Sequence, residues 1–222
     1  MRGALPSGTA YECTGPSNPE GRQIERGLVI APDIFGLRPL FDDMCARLTD
    51  ELGWPVVAVE PFPGEEELHM DGRRAAVARK TDERQLGDLM AAADVTGCTS
   101  VSVMGFCMGG MYAFKAAGTG RFHRAVSFYG MIRVPDEFRG PGQAEPLEFL
   151  SRDGACPTLA ILGGQDHFTP PDDIEALRKL PNVEAVVYPE GEHGFVHDPA
   201  RPAHRADDAA DAWSRVINFL SS

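Results

Sequence analysis

The sequence predicts an α/β architecture, a doubly wound and mostly parallel sheet flanked by helices on both faces. Three observations carry this. Short β-branched apolar runs alternate with segments of helical periodicity along the chain. The runs are continuously apolar, as strands are when both faces of a sheet are covered, and that marks parallel strands with crossover helices. The 222 residues hold no repeat, no low-complexity tract and no linker that would separate two cores, so a single domain over residues 1–222 is expected.

Gly27-Leu28-Val29-Ile30-Ala31 is the first run. Leu37, Leu40, Phe41, Met44, Cys45, Leu48 and Leu52 follow at helical spacing. Val56-Val57-Ala58-Val59 is the second run, then a polar stretch and a helix over 81–95. Val101-Ser102-Val103-Met104 leads through a glycine-flanked turn into an apolar segment over 111–117. Runs at 125–128 and 158–162 come next, the latter before a helix over 171–180. Val186-Val187-Tyr188 and an amphipathic helix over 203–220, with Trp213, Val216, Ile217 and Leu220, complete six expected strands.

Composition narrows the function. Apolar residues at 43% and charged residues at 24% are ordinary globular values. With 33 acidic against 21 basic residues the formal charge is −12, which argues against duplex nucleic acid and against a polybasic membrane anchor. No window approaches the ~20 apolar residues of a spanning helix. Pro6 interrupts the N-terminus before a signal-peptide core can form, so a cytoplasmic location is expected. Cys13, Cys45, Cys98, Cys107 and Cys156 form no C-x-x-C pair and read as free thiols in a reducing compartment. Cys45, Cys98 and Cys156 sit on or beside apolar elements and are expected in the core.

In open α/β sheets, ligands bind beyond the carboxyl ends of the strands. After the third run the chain reads Gly105-Phe106-Cys107-Met108-Gly109. That spacing exposes a nucleophile on a tight strand-to-helix turn, because glycines two residues either side let strand and helix approach. A thiol there feels the helix dipole, and the Met108 amide points into the same space. Asp166 follows the run at 158–162, and His193 stands on a glycine-flanked turn after the last run. Nucleophile, acid and base in that chain order, each at a strand's carboxyl end, is the order of α/β-hydrolases.

Asp33-Ile34-Phe35-Gly36, Gly105-Phe106-Cys107-Met108-Gly109-Gly110, Phe128-Tyr129-Gly130, Gly164-Gln165-Asp166 and His193-Gly194-Phe195, with the closing Ala212-Trp213-Ser214-Arg215, together resemble the dienelactone hydrolase family from about residue 10 to the C-terminus. The resemblance implies an α/β-hydrolase fold and a Cys107–His193–Asp166 triad. It implies an oxyanion hole from the Ile34 and Met108 amides, with Phe35 and Tyr129 as pocket walls. It also places Asp33 where the best-known members carry a glutamate that holds the thiol at rest and swings away on substrate binding. His197 falls where those members place an arginine that grips the substrate carboxylate.

The expected activity is hydrolysis of an ester or lactone of a small acidic molecule through a thioester acyl-enzyme. A thiol-based redox sensor or binding module on the same scaffold is the alternative. No G-x-G-x-x-G opens a helix and no phosphate-binding loop is present, so no cofactor is expected. Gly194 and Pro199 break the helix that a His193–His197 metal pair would need, so no metal is expected either. Arg73, Arg74 or Arg79 could reach into the site from the segment after the second run, with surface solvation the expected role for each, and a monomer is the favoured state.

Overall fold

In the computed structural model, which describes residues 1–16 and 23–222, the strands are β1 (Arg2–Ala4), β2 (Ala10–Thr14), β3 (Arg26–Ala31), β4 (Val56–Val59), β5 (Ser100–Phe106), β6 (Ala125–Phe128), β7 (Thr158–Gly163) and β8 (Val183–Tyr188). They form one sheet in the order β1-β2-β4-β3-β5-β6-β7-β8, parallel from β4 through β8 and antiparallel at β1–β2 and β2–β4. The helices are α1 (Pro39–Leu52), α2 (Met70–Val77), α3 (Asp82–Val95), α4 (Met108–Ala117), α5 (Pro146–Leu150), α6 (Pro171–Arg178) and α7 (Ala206–Ser221).

The six expected strands are present. Two more, β1 and β2, and two short helices, α2 and α5, lie where no element was expected. β1 and β2 are short and half-exposed, so neither shows a continuous apolar run.

Alternate residues of each inner strand supply two cores. Leu28, Ile30, Val56 and Ala58 pack beneath α1 and α7, which contribute Phe41, Met44, Cys45 and Leu48, and Ala209, Ala212, Val216 and Leu220. Val29, Val57 and Val103 face the other way, against α3 and α4. The spacing of the α7 residues puts them on one face of a helix, which is why this surface segment is helical and why it docks. Cys45, Cys98 and Cys156 are buried, as expected from their apolar settings. No described helix is long and apolar enough to cross a membrane.

β5 lies between β3 and β6, so the carboxyl ends of β3, β5 and β6 open at one edge, with those of β7 and β8 beside them. The expected site residues all follow these five strands.

Candidate active site

Cys107 occupies the single residue between β5 and α4, with φ 57 and ψ −118. A non-glycine residue in this region is strained and persists only where its surroundings fix it. The surroundings do so here. The Cys107 amide donates to the Phe128 carbonyl at 3.0 Å, and its carbonyl accepts the Met111 amide at 3.0 Å. A Cβ on Gly109 would stand 2.0 Å from the Ala31 carbonyl oxygen, so only glycine lets α4 start this close to β3. The Met108 amide at the first turn of α4 has no protein partner among the described residues.

Asp166, 4% exposed, follows β7. Its Oδ1 accepts the Phe168 amide at 2.9 Å and its Oδ2 lies 2.8 Å from His193 Nδ1. An ionised carboxylate only accepts, so Nδ1 carries the proton in that bond. The other ring nitrogen, Nε2, is buried and has no partner among the described residues. Burial disfavours a charged imidazolium, yet the neighbouring Cys107 and Asp166 together push the His193 pKa up to about 10. Tyr129 and Phe168 hold the imidazole edge-on, with ring centroids 5.3 and 4.9 Å away.

These groups open into a cavity of about 190 Å³. Asp33, Ile34 and Phe35 line it from the turn after β3, with Cys107, Met108 and His193. Met70, Val77, Met131, Phe138 and Phe168 make its apolar walls. Arg74 and Arg201 also line it, and neither forms an ion pair among the described residues. Arg201 packs over the residue after His193. A Cβ on Gly194 (φ +84) would meet its Nη1 at 2.4 Å. Of Arg73, Arg74 and Arg79, each able by sequence to reach in from the segment after the second run with surface solvation the expected role, Arg74 is the one that lines the cavity. Arg201 lies eight residues past His193 in an irregular segment, and no spacing singled it out.

Two expected pocket residues are placed differently. Tyr129 and His197 are buried beneath the cavity and do not line it. Tyr129, at φ 40, directs its hydroxyl onto His197 Nδ1. His197 Nε2 in turn lies 2.9 Å from Asp33 Oδ2. Arg38 grips the same carboxylate with two bonds of 2.6 and 2.9 Å, and the Phe35 amide donates to it at 3.0 Å. Burial alone would raise the Asp33 pKa. The His197 and Arg38 bonds outweigh it and hold the carboxyl down at about 2. His197 is shifted down by burial, against the pull of Asp33, and so is neutral. His193 and His197 thus serve separate carboxylates.

A sheet of this order, with a strained residue at the β5–α4 turn and an acid–histidine pair after β7 and β8, defines an α/β-hydrolase. The dienelactone hydrolase family model matches residues 13–222, and the chain belongs to that family. It is 28% identical over 212 residues to an Escherichia coli K12 protein with the provisional name carboxymethylenebutenolidase, covering 87% of this chain and 75% of the relative. It is 26% identical over 207 residues to the carboxymethylenebutenolidase of Rhodococcus opacus, covering 87% and 79%. Among solved structures, one of a Klebsiella pneumoniae protein provisionally named a dienelactone hydrolase superposes with a TM-score of 0.87 at 24% identity, over 100% and 98% of the two chains. A dienelactone hydrolase-like promiscuous phosphotriesterase from metagenomic libraries gives 0.81 at 18% identity, over 100% and 96%.

Proposed function

We propose that this chain hydrolyses an ester or lactone of a small carboxylated molecule, with Cys107 as nucleophile, His193 as acid and base, and Asp166 as the group that orients the histidine. The observation that carries the reading is His193: Nδ1 is committed to Asp166, while Nε2 is buried and left free for Cys107, the neighbour with the largest upward influence on the ring. In this reading His193 takes the Cys107 proton, and the thiolate–imidazolium pair is the attacking form. The thiolate attacks the carbonyl carbon, and the oxyanion that develops is held by the Ile34 and Met108 amides. Collapse expels the leaving oxygen, which takes the Nε2 proton, and leaves a thioester on Cys107. Water then gives a proton to Nε2 as it attacks the thioester. Release of the acid restores the thiolate–imidazolium pair, so each turnover closes its proton balance.

A thiolate leaves a tetrahedral intermediate more readily than an alkoxide or an amide does. The reaction therefore favours substrates whose own leaving group is good, such as enol or aryl esters. Arg74 and Arg201, lining the cavity without ion-pair partners among the described residues, support an anionic substituent on the substrate. A reducing cytoplasmic setting suits a reactive thiolate among five free cysteines.

The test is hydrolysis of an activated aryl ester by wild type and Cys107→Ala under reducing conditions. Turnover lost in the variant supports the reading, and equal rates overturn it. Absence of turnover in both, with reversible oxidation of Cys107 by peroxide, would favour a thiol sensor instead.

A further inference from the structure

The turn after β3 is held from behind by two buried side chains that do not line the cavity. Glu60 follows β4 and is 4% exposed. Its Oε2 accepts the Leu37 amide at 2.9 Å and its Oε1 accepts the Phe62 amide at 2.8 Å. One carboxylate thereby ties the turn after β3 to the turn after β4. Arg73, on α2 and 8% exposed, donates Nη1 to the Ile34 carbonyl at 3.3 Å. The rest of its guanidinium is fixed by the Leu68 carbonyl at 2.9 Å, by the Glu66 carbonyl and by the Phe62 ring, whose centroid is 5.0 Å away. Both close on Gly36, φ +73, where a Cβ would stand 2.8 Å from Glu60 Oε1 and 3.0 Å from Arg73 Nη1.

An inventory of donors shows what this achieves. The Phe35 amide is taken by Asp33 Oδ1, the Gly36 amide by the Asp33 carbonyl at 3.0 Å, and the Leu37 amide by Glu60. The Ile34 carbonyl is taken by Arg73. The Ile34 amide alone among residues 34–37 has no partner among the described residues, and Ile34 lines the cavity. An oxyanion donor is effective when its direction is set before charge develops, so that no reorganisation occurs during the reaction.

We propose that Glu60 and Arg73 are positioning residues for the oxyanion hole, fixing the Ile34 peptide with its N–H free toward the cavity. This rests on the reading of Cys107 as nucleophile. A carboxylate suits the task because it offers two acceptors to two amide donors. In Glu60→Gln one of those amides would face an NH₂ group and lose its acceptor.

The test compares two reactions of the same thiol in wild type, Glu60→Gln and Arg73→Lys. Acylation by p-nitrophenyl acetate develops an oxyanion. Alkylation by iodoacetamide displaces iodide and develops none. The expected result is a fall of ~10–100-fold in the acylation rate, part of the loss known for removing an oxyanion donor outright, with alkylation within about twofold of wild type and KM unchanged. Parallel losses in both reactions would make the two residues merely structural and overturn the proposal, as would unchanged acylation. Should Glu60→Gln fail to fold, Arg73→Lys carries the same comparison, because it keeps the charge while losing the planar fork. The two levels fail separately. Aryl-ester turnover that survives Cys107→Ala sinks the nucleophile assignment. A wild type that acylates at Cys107, with variants that acylate equally fast, sinks only the positioning role.

Discussion

His197 Nε2 sits 2.9 Å from Asp33 Oδ2, and Arg38 holds the opposite side of the same carboxylate with two hydrogen bonds. With the Phe35 amide also donating to it, Asp33 is engaged on every side it presents to the protein. In the family's best-known members, as the resemblance has it, a longer acid at this position swings to and from the thiol. Here movement of the acid would break two bonds to Arg38 and one to a buried neutral histidine. Asp33 is therefore a fixed brace of the turn that carries Ile34.

The brace predicts acid sensitivity. A carboxyl held at about 2 in the folded state, against 3.8 unfolded, contributes stability that is fully present above pH 4. That stability is lost as pH falls toward 2, and its size is about 2 kcal/mol. Thermal unfolding of wild type and Asp33→Asn should differ most at pH 5–7, with wild type the more stable, and the gap should close by about pH 2. A gap that stays constant with pH would mean that Asp33 is not held ionised by its partners.

Cys107→Ala has a second readout besides activity. The thiolate is the leading influence that raises His193. Its removal should lower the histidine pKa from about 10, because burial is then opposed by Asp166 alone. Titration of the imidazole carbon-bound protons by NMR reads this directly.

Much of this site is legible in the chain, because a strand's carboxyl end is announced by the apolar run before it. Cys107, Asp166 and His193 each follow such a run within a few residues, and Gly105 and Gly109 mark the close approach of helix and strand. Arg201 and Arg73 announce nothing. Arg201 reaches the cavity from an irregular loop, and Arg73 is buried by the packing of α2, where it lies among Asp71, Gly72 and Arg74 with no apolar neighbour in sequence to mark it. Tyr129 was readable as a residue at a strand end, while His197 was singled out only by the family resemblance. Whether such a side chain faces the cavity or the core depends on one backbone angle, φ 40 at Tyr129, which sequence does not encode for a non-glycine residue.

Arg201→Gln should raise KM for an aryl ester that bears a carboxylate by ~10-fold or more, the weight of a lost charge-assisted hydrogen bond. Turnover of the matching neutral ester should stay within about twofold. Equal effects on both esters would make Arg201 a prop for Gly194 instead of an anion contact.

Lys115, on α4, and Asp82, at the start of α3, form a buried pair. The lysine side chain is 0% exposed, and its Nζ lies 2.6 Å from Asp82 Oδ1, while Oδ2 accepts the Ala144 amide at 2.7 Å. Asp82→Asn strands the ammonium in the core and should cost roughly 3–5 kcal/mol. Replacing both with apolar residues, Asp82→Leu with Lys115→Met, should recover most of it. Urea denaturation of the single and double variants decides this, and a double variant as unstable as the single would show that the Ala144 contact is the larger contribution.

Asp166 and Asp33 serve different histidines. Two carboxylates lie near two imidazoles, and an exchange of partners would leave the site intact if Asp33 could stand in for Asp166. The bonds argue against exchange, because Asp33 is spent on His197 and Arg38 while Asp166 reaches His193 Nδ1 at 2.8 Å. In Asp166→Asn the new amide can donate to Nδ1, which moves the ring proton to Nε2 and leaves no acceptor facing the thiol. The resting ion pair then fails to form. Turnover of an activated ester should fall by about 10³–10⁴, as it does when such an acid is neutralised elsewhere. Iodoacetamide alkylation should slow with it, because both reactions need the thiolate. A variant that keeps wild-type rates would show that Asp33 can release His197 and orient His193, and the brace described above would then be a movable one.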